Sequence, residues 1–306
     1  MNLKDHNPKD HNQDLRQEIE ATTDSKATIQ WYPGHMAKAK RQITDDLAVV
    51  DMIIEVVDAR APKSSINPDL QQFTNRKAHV LLLNKEDLAE PAQTKLWLAH
   101  YRQQGIVPVA CNAARKQGLR QLRQAVEEAS QPVLERLHKR GRLPRAMRAM
   151  VVGVPNCGKS TVINALAPVA SAKTGNKPGV TRGRQWVKTA LGIELLDTPG
   201  MLWPKFAEYD TAFKLAVIGS ISDLVFPVYQ VSGELAELLV RIKPQSIIER
   251  YRLESVPQEA EAIFGAIGAK RGLLGPGGVV RITDAAQLFL QEFRAGKLGR
   301  VTLDRL

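Results

Sequence analysis

The chain has 306 residues, 43% of them hydrophobic and 25% charged, and its 43 Lys and Arg against 32 Asp and Glu leave a formal charge of +11. That length accommodates one large or two ordinary domains, and no apolar run approaches the roughly 18 residues that would span a bilayer. Two cysteines, Cys111 and Cys157, exclude a disulfide framework and a four-cysteine zinc site, and none of the six histidines forms a metal-spaced pair with them.

Residues 1–28 are polar and of mixed charge, with neither the apolar stretch of a signal peptide nor the acid-poor character of a transit peptide. They offer little apolar surface to offset ordering entropy, so a disordered extension is expected there. The run Asp51-Met-Ile-Ile-Glu-Val-Val-Asp58 is apolar and β-branched, which predicts a buried parallel strand. A polar helical stretch separates it from a second strand, His79-Val-Leu-Leu-Leu-Asn84. Helical spacing over 94–104 precedes a third strand at 105–110. Leu119, Leu122, Val126 and Ala129 then recur at helical steps, predicting a helix over 118–137.

A basic Gly/Pro connector at 138–145 leads to a strand at 149–154, a helix at 159–166, and strands at 185–190 and 193–197. Strands alternating with helices predict an α/β fold with a doubly wound, mostly parallel sheet. Beyond about Pro204 the pattern turns helical, as at 233–242 and 285–293, around the Gly-rich turn 271–278. The expected organisation is an extension (1–28), a nucleotide-binding domain (29–204) and a smaller, mainly α-helical domain (205–306).

Gly153-Val-Pro-Asn-Cys-Gly-Lys-Ser160 fits the phosphate-loop pattern G-x-x-x-x-G-K-S/T and lies between a predicted strand and a predicted helix, the context the motif demands. Glycines let the backbone wrap a phosphate while its amides and the helix N-terminus face the anion. Lys159 is expected to bridge the β- and γ-phosphates, and Ser160 to bind Mg²⁺. Asp197-Thr-Pro-Gly200 ends an apolar strand; its carboxylate is expected on Mg²⁺, directly or through water, and the Gly200 amide at the γ-phosphate. Thr181, in the loop Lys177–Gly183, is the candidate that completes the Mg²⁺ shell, with other hydroxyls nearby as alternatives.

Asn84-Lys-Glu-Asp87 follows a predicted strand and fits the N-K-x-D guanine reader. Asp87 can accept from the N1–H and 2-amino group of guanine. Adenine would leave that carboxylate unpaired, at a cost of about 1–3 kcal/mol or more. Lys85 is expected along the base plane, and Asn84 as a tie to the phosphate loop. Alone this pattern is weak; beside a phosphate loop it is strong. Cys111-Asn-Ala113 closes the next strand where a backbone amide would meet guanine O6. The expected GTP or GDP contacts are therefore Asn84, Lys85, Glu86 and Asp87, then Asn112 and Ala113. In the phosphate loop they are Asn156, Cys157, Gly158, Lys159, Ser160 and Thr161, with Gly200 beyond. Cys157 is expected to be a small inert residue there. The base reader precedes the phosphate loop, so the motifs are in circularly permuted order, and the γ-phosphate-sensing segment runs straight into the helical domain.

With these motifs, and with Gln30-Trp-Tyr-Pro-Gly-His-Met-Ala-Lys-Ala-Lys40, Val57-Asp-Ala-Arg60, Pro178-Gly-Val-Thr181, Trp203-Pro-Lys-Phe206 and Ile267-Gly-Ala-Lys-Arg-Gly272, the chain resembles the circularly permuted ribosome biogenesis GTPase A family from Gln30 to near its C-terminus. The resemblance implies assembly of the large ribosomal subunit, with ribosomal RNA bound partly through the helical domain. Met201 stands where many GTPases place a water-orienting glutamine. The resemblance implies His35 in that role, which makes His35, Lys159, Thr181 and Gly200 the expected catalytic set. It also implies that Asn156 helps hold K⁺ beside the phosphates.

The basic balance fits structured RNA, read by shape and backbone, better than single strands, because only 5% of residues are aromatic. A solvated basic surface without a partner is the bland alternative. The expectation is a cytoplasmic, ribosome-stimulated GTPase with no membrane attachment. It would be monomeric off the ribosome, bind the large-subunit precursor, and time a late assembly step and its own release. The alternatives are a permuted GTPase of the small subunit and a non-ribosomal regulatory switch.

Overall fold

The apolar runs at 52–58 and 78–84 have no polar face to offer solvent, and they sit side by side in the interior of a six-stranded sheet. The computed structural model describes residues 45–68, 77–141, 146–167, 186–189, 192–197 and 208–306. The strands are β1 (Met52–Asp58), β2 (Ala78–Asn84), β3 (Val107–Cys111), β4 (Met147–Val152), β5 (Trp186–Lys188) and β6 (Ile193–Asp197), ordered β3-β2-β1-β4-β6-β5. All neighbours pair in parallel except β5 with β6. The antiparallel edge follows from the brief turn between those two strands, which is too short for the crossover a parallel pair needs.

Both faces of the sheet are covered. Ile54, Val56 and Leu82 pack with Leu122 and Val126 of α2 (Leu119–Lys139), whereas Val57, Leu81 and Leu83 pack with Trp97 and Tyr101 of α1 (Pro91–Gln103). Burying each such side chain contributes about 1.5–3 kcal/mol. The chain runs from β1 through β2 to β3 on one side, then returns to place β4 on the other side of β1. That reversal puts a topological switch point at the carboxyl ends of β1 and β4, the place where open α/β sheets take ligands.

The helical region comprises α4 (Tyr209–Val217), α5 (Val228–Ile242), α6 (Pro244–Tyr251), α7 (Ala260–Arg271) and α8 (Ile282–Arg294). Its centre is aromatic: Phe264 meets Phe289 edge to face at 5.8 Å. After α8 the chain returns to the sheet domain as a strap. The Val301 amide donates to the Leu88 carbonyl (2.9 Å) and the Leu303 amide to the Arg60 carbonyl (2.6 Å). The buried Asp304 carboxylate accepts from the Lys63 and Ser64 amides at 2.8 and 2.7 Å. Residues 1–28 and the boundary expected near 204 lie outside the described residues, as do 69–76 of the polar stretch before β2, whose described part runs through turns. No helix among the described residues is long and apolar enough to cross a membrane.

Candidate functional site

β4 leaves the sheet at Gly153, and the loop to α3 (Lys159–Leu166) folds against β1 so closely that a Cβ at Gly153 would run into the Val56 carbonyl. At the far end of the loop Gly158 has φ +99°, and a Cβ there would strike the Asn84 amide. Both positions therefore need glycine, for approach as well as for conformation. Lys159 is buried, and its ammonium donates to the Gly153 and Val154 carbonyls at 3.2 and 2.9 Å. Ser160 and Thr161 are exposed in the first turn of α3. Cys157 is fully buried, and burial pushes its thiol above the ordinary range, as suits an inert residue.

Asn84, at the end of β2, ties this loop to two others. Its Nδ2 donates to the Cys157 carbonyl (2.9 Å), and its Oδ1 accepts from the Ala113 amide (3.1 Å) and the Cys111 thiol (3.4 Å). Burial, with the Glu86 carboxylate adding to it, pushes the Cys111 thiol up to about 12, so it stays protonated and able to donate. One side chain thus joins segments separated by 73 and 29 positions. The loops after β2 and β4 meet at the carboxyl end of the sheet despite the inverted order of their motifs.

Lys85 adopts a left-handed backbone, φ 61°, and its ammonium reaches the Asn156 carbonyl at 2.6 Å and Asp58 Oδ2 at 2.9 Å. Glu86 and Asp87 follow, half-buried, in a short 3₁₀ turn. Burial, reinforced by the Asp87 charge, raises the Glu86 carboxyl above its ordinary value. Asp58 is completely buried. Burial alone would raise its carboxyl, but the charges of Arg60 and Lys85 outweigh that and hold it well below the usual range. This cluster escaped the sequence reading, which had Val57-Asp-Ala-Arg60 only as part of a resemblance. Its signal was charge placed at the end of an otherwise apolar strand.

The Ala113 amide, expected at guanine O6, is given to Asn84. The neighbouring Asn112 is buried, accepts from the Arg115 amide through Oδ1 (3.1 Å), and keeps its Nδ2 buried with no partner among the described residues. Leaving such a donor unsatisfied costs about 1–3 kcal/mol, and the carbonyl of a bound ligand would relieve it. Asn156 is exposed, and its Nδ2 donates to the Gly219 carbonyl in the turn after α4 (2.6 Å), while Ser220 Oγ donates to the Pro155 carbonyl (2.9 Å). Asp197 ends β6 in register with Val151 of β4, two positions before the phosphate loop; its carboxylate is not among the described side chains. His35, Thr181 and Gly200 lie outside the described residues.

A family model described as a 50S ribosome-binding GTPase matches residues 148–255, which hold the phosphate loop. The ribosome biogenesis GTPase A of Priestia megaterium is 44% identical over 278 residues, covering 90% of this chain and 96% of that protein. The protein of the same name from Bacillus pumilus is 41% identical over 278 residues, covering 91% of this chain and 99% of that one. The crystal structure of GNP-bound YlqF from T. maritima is 32% identical, covers 88% of this chain and 98% of that chain, and superposes with a TM-score of 0.58.

Proposed function

Because the chain belongs to the ribosome biogenesis GTPase A family, we propose that this GTPase acts on the maturing large ribosomal subunit and uses GTP hydrolysis to time a late assembly step and its own release. The observation that supports the reading is the Asn84 knot, which ties the Asn84–Asp87 loop to the Gly153–Ser160 loop and to the 111–113 segment. In this proposal Asp87 reads the base, Lys85 lies along it, and the 112–113 segment meets O6, through the Asn112 Nδ2 that has no partner among the described residues or through the Ala113 amide once Asn84 gives it up. Lys159 leaves its loop carbonyls for the β- and γ-phosphates. Ser160 presents an exposed hydroxyl in the first turn of α3, and Asp197 ends the strand beside β4. That oxygen-rich set fits Mg²⁺, with Thr181 completing it. His35 orients the attacking water, and Gly200 senses the γ-phosphate.

Residues 205–306 form the domain that binds ribosomal RNA. The formal charge of +11 belongs to the whole chain and supports a polyanionic partner for it; residues 205–306 hold 13 Lys and Arg against 12 Asp and Glu, so RNA contact by this domain does not rest on its net charge. The contact of Asn156 and Pro155 with the turn at 219–220 gives the helical domain a direct touch on the phosphate loop. The protein works as a cytoplasmic monomer when off the particle. Sucrose-gradient sedimentation tests this: the chain should travel with the large-subunit precursor in a non-hydrolysable GTP analogue and leave it in GDP. Travel with the small subunit, or with neither, would overturn the assignment.

Asn156 also bears on monovalent ions. With its Nδ2 given to Gly219, its Oδ1 is the atom suited to a cation beside the phosphates. Turnover is expected to be several-fold faster in KCl than in NaCl at equal ionic strength. Equal rates in the two salts would remove K⁺ from the proposal.

A further inference from the structure

Lys85 is anchored from two sides, and only one anchor belongs to the phosphate loop. The other is Asp58, whose side chain is 1% exposed, gripped by Arg60, 2% exposed. Arg60 Nε donates to Asp58 Oδ1 (2.9 Å) and Nη2 to Oδ2 (2.8 Å), a bidentate pair that the Arg60 amide extends with a third bond to Oδ1 (3.1 Å). Asp58 Oδ2 keeps room for one more donor, and that donor is the Lys85 ammonium at 2.9 Å. The guanidinium is itself fixed by the last helix, α8: its Nη1 reaches the Arg294 carbonyl (3.3 Å), and it lies 5.5 Å over the Phe293 ring.

Burying a guanidinium against a carboxylate, with a half-buried ammonium beside them, is costly, and an apolar filling would serve packing equally well. What the charged cluster adds is a fixed end for a lysine. Ordering a free lysine stem costs rotamer entropy at the moment a ligand binds. Here both ends of Lys85 are set beforehand: the backbone by its left-handed conformation, and the ammonium by Asp58 Oδ2 and the Asn156 carbonyl. We infer that Asp58 and Arg60 are positioning residues that lay out the Lys85 stem for the guanine base and let the seating of α8 be felt in nucleotide affinity. The inference rests on the reading of Lys85 as the residue along the base.

A double-mutant cycle read with GDP binding by calorimetry tests it. Asp58→Asn keeps the shape and removes the charge. It is expected to weaken GDP about tenfold, the scale of one lysine's rotamer entropy. Lys85→Met should lose at least as much, and the double variant no more than Lys85→Met alone, because Asp58 acts through Lys85. GDP and IDP should weaken by the same factor, since the 2-amino group that distinguishes them belongs to Asp87. A merely structural pair would leave the two affinity losses additive, which overturns the inference; a lower melting temperature is expected on either reading, because Asp58→Asn leaves the buried Arg60 guanidinium without its counter-charge.

Should Asp58→Asn fail to fold, Arg60→Lys carries the same cycle, since one ammonium on Asp58 preserves charge but not the bidentate grip. Loss of affinity in Lys85→Met without loss in Asp58→Asn or Arg60→Lys sinks the inference alone. Unchanged affinity in Lys85→Met sinks the reading of that lysine together with it.

Discussion

Replacing Lys159 by Met is expected to lower GTP turnover by about 10²–10³-fold, the scale of losing one preorganised charge from a developing transition state. The substitution is chosen for the burial of this residue: Lys159 is 7% exposed, and an apolar side chain of similar length fills the same space. What disappears is an ammonium that now rests on the Gly153 and Val154 carbonyls. Those carbonyls belong to the loop that would wrap the phosphates, so the ammonium is stored beside its place of work. Moving to the β- and γ-phosphates exchanges neutral acceptors for charged ones, which adds Coulomb attraction to bonds that the ammonium already makes charge-assisted. Because negative charge on the leaving phosphates grows during the reaction, the loss falls mainly on kcat. Phosphate release under saturating GTP measures it. Turnover within a few-fold of the unaltered protein would remove Lys159 from the chemistry.

The phosphate and base-reading loops were legible because each is a contiguous pattern whose spacing is set by ligand geometry. Gly153 to Ser160 and Asn84 to Asp87 carry their chemistry in neighbouring residues. The strands were legible because Met52–Asp58 and Ala78–Asn84 are apolar on both faces. The contacts that connect the patterns were not legible, because they are made by residues distant along the chain. Nothing near Asp58 announces that Arg60 will face Arg294, 234 positions away, or that Asn156 will meet Gly219, 63 positions away. The strap at 301–304 has no helical or strand period to betray it; its place is set by single bonds to Leu88, Arg60 and Ser64. The Ala113 amide illustrates a different limit. A pattern can put an amide near a base, but the competing acceptor, Asn84 Oδ1, exists only once three loops have met.

Asp87→Asn is expected to weaken GDP by about 10²–10⁴-fold, since hydrogen bonds to a charged group are worth roughly 1.5–3 kcal/mol each and two are lost or inverted. The carboxylate can accept from both N1–H and the 2-amino group of guanine. An amide in its place turns a donor toward the 2-amino group, leaving two donors facing each other in a half-buried site. Xanthine carries an oxygen at that ring position, so the same amide would donate to it, and XDP should gain as GDP loses. The change should remain chemical rather than structural, because the surrounding loop is held by groups that Asp87 does not touch. Lys85 is held by Asp58 and the Asn156 carbonyl, Leu88 by the Val301 amide, and Asn84 by its own three partners. Calorimetry with GDP and XDP on both proteins gives the four affinities needed. A variant that still prefers GDP by the original ratio would show that the base is read elsewhere. The loops joined by Asn84 would then include a phosphate-binding loop without a guanine-selecting one.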